Sequence, residues 1–441
     1  MSLGTRPAPS VTGSTAPSRS AHLLEGAVVW LLGAYLFAQC LSLPVLIAGP
    51  SWALWPTLPD LLLWAALGCA LLYHRPAGAA QQPVWQALVL LSVLAVCAFG
   101  VLFVMRDGHL ASAVAFGLFQ LYKLAQVLAM FWMVSRLPLR DKVLAHWGRA
   151  ALAAFVLMVG SVAWTYFSPA LPTALGQVLP HSLGSAAGPW GAYYLHNEPG
   201  LGAVGYNHGY VALQVTVLAA LVLMLRPHRS NVWVLAAALV ACFLSGSRAG
   251  LAGCLLFALL EWRHLPVRAG LLLGLLGAAG LAAAPWLDQQ LGDLATRQST
   301  LLDVGDTNNL AGRSEIWGHY LRAFMHDPYR LWVGSGFGSA INNRSNAHST
   351  PLQVLYETGL AGLATFGLFF WVLIRRLFAA HTARSGVALG LLAGLWLTAL
   401  TQETFYPNPA FGGSLPLLAL ALALALAPAR RPAAPATQRQ R

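Results

Sequence analysis

Residues 232–262 read VWVLAAALVACFLSGSRAGLAGCLLFALLEW, two apolar runs separated by a short polar turn that contains Arg248. The runs, 232–247 and 249–262, would extend about 24 and 21 Å as helices at about 1.5 Å per residue. Neither comfortably crosses the roughly 30 Å of hydrocarbon in a bilayer. The segment therefore predicts two short helices that meet below the membrane surface.

The charges around this segment place Arg248 at membrane depth. Arg229 and Arg263 flank the two runs, so we expect both ends on the same side of the membrane and the turn near the other side. An ionisable residue at that depth is costly and usually functional, and the alternative is an arginine that reaches lipid headgroups. Its planar fork of donors suits the diphosphate of a polyprenyl lipid.

The composition of the whole chain agrees with a membrane location. Of its 441 residues, 57% are apolar and only 9% are charged, and the mean hydropathy is +0.62. These values exclude a soluble globular enzyme, a disordered protein and a secreted disulfide scaffold. The sequence predicts an all-α polytopic membrane protein with about twelve transmembrane helices, at 25–48, 53–73, 84–105, 111–134, 147–167, 204–225, 232–247, 249–262, 266–286, 352–374, 385–403 and 412–428.

The distribution of Lys and Arg predicts the orientation. Seventeen of the 26 basic residues fall in alternate connections and seven in the opposite set, which places both termini in the cytoplasm. The net charge of +12 is therefore a topology signal, and no nucleic-acid partner is expected. We predict a disordered cytoplasmic tail (1–22), transmembrane helices 1–9 (23–286), a large periplasmic loop (287–351), transmembrane helices 10–12 (352–428) and a basic cytoplasmic tail (429–441).

The end of the long loop contains a candidate general base, His348. Thr350 as N-cap, Pro351 as the first helical residue and Gln353 as capping-box partner predict a helix start directly after it. The positive end of a helix attracts anions and disfavours imidazolium, so a neutral His348 can accept a proton. The alternative is a histidine that only caps or hydrogen-bonds in the loop.

Other polar residues are weaker candidates. Glu357 lies two turns into the same helix, where we expect it either to pair with an arginine or to orient a substrate hydroxyl. Lys123 lies within the fourth span. We expect it either to contact Glu357, Glu403 or phosphate, or to form a structural ion pair. Further candidates to line a sugar site are Glu198, Asn207, His208, Gln353, Gln402, Glu403 and Tyr406, with solvated turn residues as the alternative for those before the sixth span.

A set of short motifs carries a family likeness. They are Ser247-Arg248, Gly312-Arg313 followed by Trp317, Pro328 before Gly334-Ser335-Gly336, and His348 with Leu352-Gln353, Glu357, Gly359-Leu360 and Gly362. In this order the chain resembles the O-antigen ligase and polymerase superfamily, bacterial membrane glycosyltransferases that take glycans from undecaprenyl diphosphate. The family often has Asn after the histidine, where this chain has Ser349.

The resemblance implies an integral-membrane glycosyltransferase fold, without a nucleotide sugar or other cofactor, in the bacterial inner membrane with its site facing the periplasm. Arg248 and Arg313 would hold the diphosphate and His348 would activate the acceptor. Two guanidiniums can neutralise a diphosphate leaving group, and a base then permits direct displacement with inversion. No D-x-D pair occurs in the outer loops, so we expect no metal.

Four functions remain open at this point. An O-antigen ligase would transfer the glycan to lipid A core and is favoured by the resemblance, whereas a polymerase of the same superfamily would extend a growing lipid-linked glycan. A polytopic transporter or flippase would carry internal repeats and charges around a midplane site. A non-catalytic assembly scaffold would make His348 dispensable.

Overall fold

The computed structural model describes eleven parts of the chain. They are residues 19–40, 56–72, 81–105, 110–168, 208–226, 231–262, 291–295, 298, 313–343, 346–407 and 414–428. These parts are helical, and they contain no β-strand element. The long apolar runs therefore fold as the continuous helices that the sequence predicts.

Thirteen α-helices and one 3₁₀-helix make up the elements that we number here within the described residues. The α-helices are α1 Arg19–Ala38, α2 Leu58–Leu71, α3 Gln82–Met105, α4 Leu110–Arg136, α5 Asp141–Phe167, α6 His208–Leu225, α7 Asn231–Leu244, α8 Arg248–Trp262, α9 Arg313–His326, α10 Tyr329–Val333, α11 Thr350–Ala380, α12 Ala383–Ala399 and α13 Ser414–Ala425. The 3₁₀-helix, Ser339–Asn343, lies between α10 and α11.

The helices agree with the predicted spans in position more closely than in length. Eleven of the twelve predicted spans overlap an α-helix, and the ninth, 266–286, lies outside the described residues. Among the described helices, α3, α4, α5, α6 and α11 are long and apolar enough to cross a membrane, and several shorter apolar helices accompany them. The total of twelve crossings therefore stays a prediction.

Several helix ends differ from the predicted spans, and two of them illustrate this. The helix α1 already begins at Arg19, inside the predicted tail 1–22, because His22 to Glu25 continue the helix that the apolar run begins. The helix α12 ends at Ala399, whereas the predicted span continued to residue 403, because Thr401 and the residues after it form a turn. Residues 1–18, the tail 429–441 and the candidates Glu198 and Asn207 lie outside the described residues.

The centre of the helical bundle is α6. It is buried from Val211 to Leu225 and packs against α5, α7, α8, α12 and α13. The helices α8 and α12 lie close together at Gly253 and Gly394, where a Cβ on either glycine would clash with the backbone oxygen of the other. Small residues allow this kind of close packing between helices in a membrane. The contact fixes α8, and with it Arg248, relative to α12.

Candidate functional site

The turn between α7 and α8 presents Arg248 as the first residue of α8. Gly246 adopts a left-handed conformation (φ 74°), which glycine does without steric cost. The hydroxyl of Ser247 accepts a hydrogen bond from the N–H of Gly250 at 3.1 Å and so satisfies a donor at the start of α8. Arg248 is half-buried at this junction of two short helices.

His208 lies at the start of α6 and faces the same turn. Its ring nitrogen Nδ1 contacts the carbonyl oxygen of Ser245. The neighbouring Gly209 leaves room for the side-chain amide of Gln402, which a Cβ at position 209 would meet at 2.5 Å. His208 therefore supports the turn that carries Arg248, and Gln402 joins α6 to the segment after α12.

His348 lies in the segment before α11 and is held by Glu403. Its backbone N–H donates to Oε1 of Glu403 at 2.5 Å, and its ring nitrogen Nδ1 lies 3.5 Å from the same oxygen. His348 has a left-handed φ of 47°, which is uncommon outside glycine. Because the Glu403 side chain is only 2% exposed, its carboxylate is a fixed partner that stabilises this backbone conformation and faces one edge of the ring.

The start of α11 differs from the predicted one by a residue. The N-cap is Ser349, without a side-chain capping bond, and Pro351 lies in the first turn. Thr350 does not cap the helix, because its N–H and hydroxyl both donate to the carbonyl oxygen of Gln402, at 3.2 and 3.0 Å. Gln353 does not complete a capping box, since its amide oxygen accepts from the N–H of Ala347 at 2.9 Å. Tertiary contacts to the 402–405 turn replace the local cap.

Arg313 begins α9 and lies near both Arg248 and Glu403. Burial lowers the pKa of the Arg313 guanidinium, the charge of Arg248 lowers it further, and the Glu403 carboxylate opposes the shift. The indole N–H of Trp317, one turn along α9, donates to the carbonyl oxygen of Ala347 at 2.7 Å and ties α9 to the segment before His348. Arg313 thus interacts electrostatically with Arg248 and Glu403, and Glu403 contacts His348. We name these residues the arginine site (Arg248, Arg313, His348 and Glu403).

Glu357 forms a second polar cluster beneath this site. Its carboxylate accepts from the hydroxyl of Tyr406 at 2.5 Å, the amide of Gln353 at 2.9 Å and the backbone N–H of Ala340 at 3.1 Å. The predicted pairing of Glu357 with an arginine is wrong. Glu357 and Gln353 are 0% and 1% exposed, so they hold the loop against α11 instead of lining an open surface. Burial and the charge of Glu357 raise the pKa of Tyr406, which keeps its hydroxyl a donor.

The glycine-rich segment 334–338 fills a break in α11. At Gly359 the helix leaves helical geometry (φ 67°), and the N–H groups of Ser335 and Gly336 donate to the carbonyl oxygens of Tyr356 and Glu357, at 2.7 and 3.1 Å. These N–H groups therefore satisfy a kinked helix, and they are not available to a phosphate. A glycine-rich loop that binds phosphate typically follows a β-strand, and no strand precedes this segment among the described residues. Its glycines therefore serve the turn.

Lys123 forms an ion pair with Asp60. Its Nζ lies 2.7 Å from Oδ1 of Asp60, and both side chains are 4% exposed. Gln126 donates to the same oxygen at 2.7 Å, and the N–H of Thr57 donates to Oδ2 at 2.9 Å. Of the alternatives raised by the sequence, the structural ion pair is the one observed, and Lys123 does not belong to the arginine site.

Sequence reasoning gave Glu403 too little weight and missed Asp60. Glu403 was noted only as a weak candidate at a helix end, and its one distinguishing signal was a carboxylate next to an apolar span without a nearby basic residue in the sequence. Asp60 stands three residues after Thr57, as in a capping box. This local role accounts for a carboxylate at position 60, so the sequence gives no sign of its contact with Lys123. Both partners are distant in the chain.

The family comparison matches one part of the chain. Residues 233–367 match the O-antigen ligase family. The match confirms the resemblance to the O-antigen ligase and polymerase superfamily over less than a third of the chain. The O-antigen ligase segment contains Arg248, Arg313, His348 and Glu357, whereas Glu403 and Tyr406 lie beyond it. No curated protein matches the chain. The apolar helices and the O-antigen ligase match together indicate an integral membrane protein with a glycosyltransferase-like domain.

Proposed function

We propose that the protein is a glycosyltransferase that moves a glycan from undecaprenyl diphosphate to a hydroxyl of an acceptor sugar, as an O-antigen ligase does with lipid A core. The observation that supports the proposal is the electrostatic interaction of Arg313 with both Arg248 and Glu403, because the Glu403 carboxylate also contacts His348. The donor, the acceptor, the inner-membrane location and the periplasmic orientation of the site are parts of this proposal.

The charges of the site favour a diphosphate. Arg248 and Arg313 repel each other, and burial adds to the cost of keeping Arg313 charged. The Glu403 carboxylate opposes this shift at Arg313, and the pKa of Arg313 is still lowered. An anion with two phosphates would relieve the repulsion, and the negative charge that develops on the departing lipid diphosphate would be stabilised by groups already in place.

The histidine has the geometry of an oriented base. We assign the proton of the neutral ring to Nδ1, which lies 3.5 Å from Oε1 of Glu403, so that the other ring nitrogen, Nε2, keeps its lone pair for the proton of the acceptor hydroxyl. The oxygen then attacks the anomeric carbon of the donor sugar as the bond to the diphosphate breaks, which gives inversion. We propose that this step needs no metal, and we therefore expect full turnover in excess chelator. A loss of turnover that Mg²⁺ or Mn²⁺ restores would contradict this expectation.

The test compares two histidines with the same backbone conformation. His348 and His381, at opposite ends of α11, have φ values of 47° and 46°. We expect His348→Asn to lower glycan transfer by about 10²- to 10⁴-fold, because asparagine tolerates this φ but cannot act as a base. His381→Asn should leave transfer unchanged. Surface polysaccharide in a complemented null strain, at equal protein levels, measures both, and normal polysaccharide with His348→Asn would refute the enzyme proposal.

The same null strain separates the ligase from the polymerase. Without a ligase, long lipid-linked polymer accumulates, and without a polymerase, single repeat units remain. The family match fits both enzymes, so the size distribution of lipid-linked glycan decides between them.

A further inference from the structure

The helix α9 has three faces. One packs against α11 and the loop, and it contains the buried Tyr320 and the half-buried Ile316, Trp317, Ala323 and Phe324. A second, exposed and polar, contains Glu315, His319, Arg322 and His326, at spacings of three and four residues. The third, exposed and apolar, contains Leu321 and Met325, which is 73% exposed. A helix of an ordinary soluble domain has two faces, so the third needs an explanation.

The exposed apolar surface continues beyond α9. In α10, Tyr329, Trp332 and Val333 are exposed, Trp332 by 64%. Large apolar side chains that occur singly on a surface are normal, but a contiguous group of this kind marks a contact with a protein or a membrane. We name Leu321, Met325, Tyr329, Trp332 and Val333 the apolar shelf.

The contacts of α9 and α10 with α11 show how far the shelf descends. Near the start of α9, Trp317 bonds to Ala347, which precedes α11. Further along α9, the ring of Tyr320 packs on the ring of Tyr356, with their centroids 4.6 Å apart. Tyr356 lies about 9 Å from the start of α11 at about 1.5 Å per residue. The carbonyl of Trp332 lies against Gly359, about 13 Å into α11 by the same rise. The segment therefore runs down the side of α11.

The helices α3 and α4 give the same depth independently. The N–H of Phe337 donates to the carbonyl oxygen of Ala98 at 3.1 Å, which lies about 10 Å from the end of α3 at Met105. Gly338 lies against Gly117, about 10 Å from the start of α4. The segment 332–338 thus lies about two turns inside the ends of three apolar helices that are long enough to cross a membrane.

The surface beside the shelf is apolar as well. On α3, which ends at Met105, Val96, Phe103 and Val104 are exposed. Exposed apolar side chains on helices of this length face lipid. The shelf is at the depth of this lipid-facing surface, and it carries the tryptophan and tyrosine that favour the boundary between hydrocarbon and headgroups.

We propose that α9 and α10 form a re-entrant element that lies in the outer boundary of the bilayer, with the apolar shelf in contact with lipid chains and the polar face of α9 toward the headgroups. The occupant of the shelf is the phospholipid bilayer, and neither a second copy of the chain nor a soluble partner is needed. The proposal does not depend on glycan transfer. Its consequence is that Arg313, at the upper end of α9, is held at the membrane surface by an element that is itself embedded.

Spin labels in the full-length protein test the proposal. Cys40, Cys69, Cys97, Cys242 and Cys254 are replaced by alanine, and single cysteines are introduced at Leu321, Met325 or Trp332, with His319→Cys and Glu315→Cys as matched positions on the polar face. The labelled proteins are reconstituted in phosphatidylcholine and phosphatidylglycerol nanodiscs, and a label at Val96 on α3 serves as the lipid-facing reference.

We expect the ratio of collision rates with O₂ and with a water-soluble nickel chelate to be at least fivefold higher for the shelf labels than for the polar-face labels, and close to that of Val96. Equal ratios on both faces would show that water covers the shelf and would overturn the proposal. Low accessibility to both reagents with dipolar broadening would show a second copy of the chain on the shelf, which would also overturn it.

Discussion

Two pairs of charged residues differ in the sign of their charges and therefore in what they can do. Asp60 and Lys123 have opposite charges 2.7 Å apart, and neighbouring donors complete the hydrogen bonds of the carboxylate. Arg248 and Arg313 have the same charge, and the field of one makes the charge of the other less favourable. The first pair is complete without a ligand, whereas the second gains from an added anion.

The difference separates structural charges from candidate functional ones in this protein. A fully compensated ion pair between α2 and α4 locks two helices and leaves no charge for a substrate. In the arginine site, burial and the like charge of Arg248 make the charged form of Arg313 less favourable. Residues that lower stability without a ligand are typical of binding and catalytic sites.

The largest effect should follow from breaking the compensated pair. We expect Lys123→Met to lower the free energy of unfolding by about 3 to 5 kcal/mol, because the Asp60 carboxylate is left buried without its cation. The double variant Asp60→Asn/Lys123→Met should recover most of this loss. Thermal unfolding in detergent measures both, and equal stability of the single and double variants would contradict a structural pair.

Removing a charge from the arginine site should have the opposite effect on stability. We expect Arg313→Gln to lower turnover by about 10²- to 10³-fold, because a group that stabilises the leaving diphosphate is lost. Its midpoint of thermal unfolding should be unchanged or higher, because the repulsion with Arg248 is relieved. The control is Arg376→Gln on the exposed surface of α11. A loss of stability in Arg313→Gln as large as that in Lys123→Met would remove the distinction between the two pairs.

The smallest effect concerns the orientation of His348. We expect Glu403→Gln to lower turnover by about 10- to 100-fold, because a charged hydrogen bond contributes about 1.5 to 3 kcal/mol, and to leave the substrate KM unchanged. Steady-state kinetics with purified protein gives both constants. A change in KM alone would assign Glu403 to substrate binding, and unchanged kinetics would exclude a positioning role.

The positions of the helices could be predicted from the sequence, whereas the residues that each polar side chain contacts could not. The position of α8 after a short turn, the break before α11 and the helical class all follow from apolar runs and from residues that begin or end helices. The exact start of α11 was wrong by one residue because Thr350 bonds to Gln402 rather than to its own helix. The role of Glu357 was misjudged because three of its partners come from the loop, from α11 and from the segment after α12.

The sequence by itself determined that the chain is a helical membrane protein and that Arg248 stands between two short helices, because hydropathy and helix length depend on residues close together in the chain. Only the tertiary structure decided that Glu403 holds His348, that Arg313 meets Arg248, and that α9 and α10 descend beside α11. These interactions join residues 55, 65 and 36 positions apart. No local pattern encodes such distances, because they arise from how the helices pack.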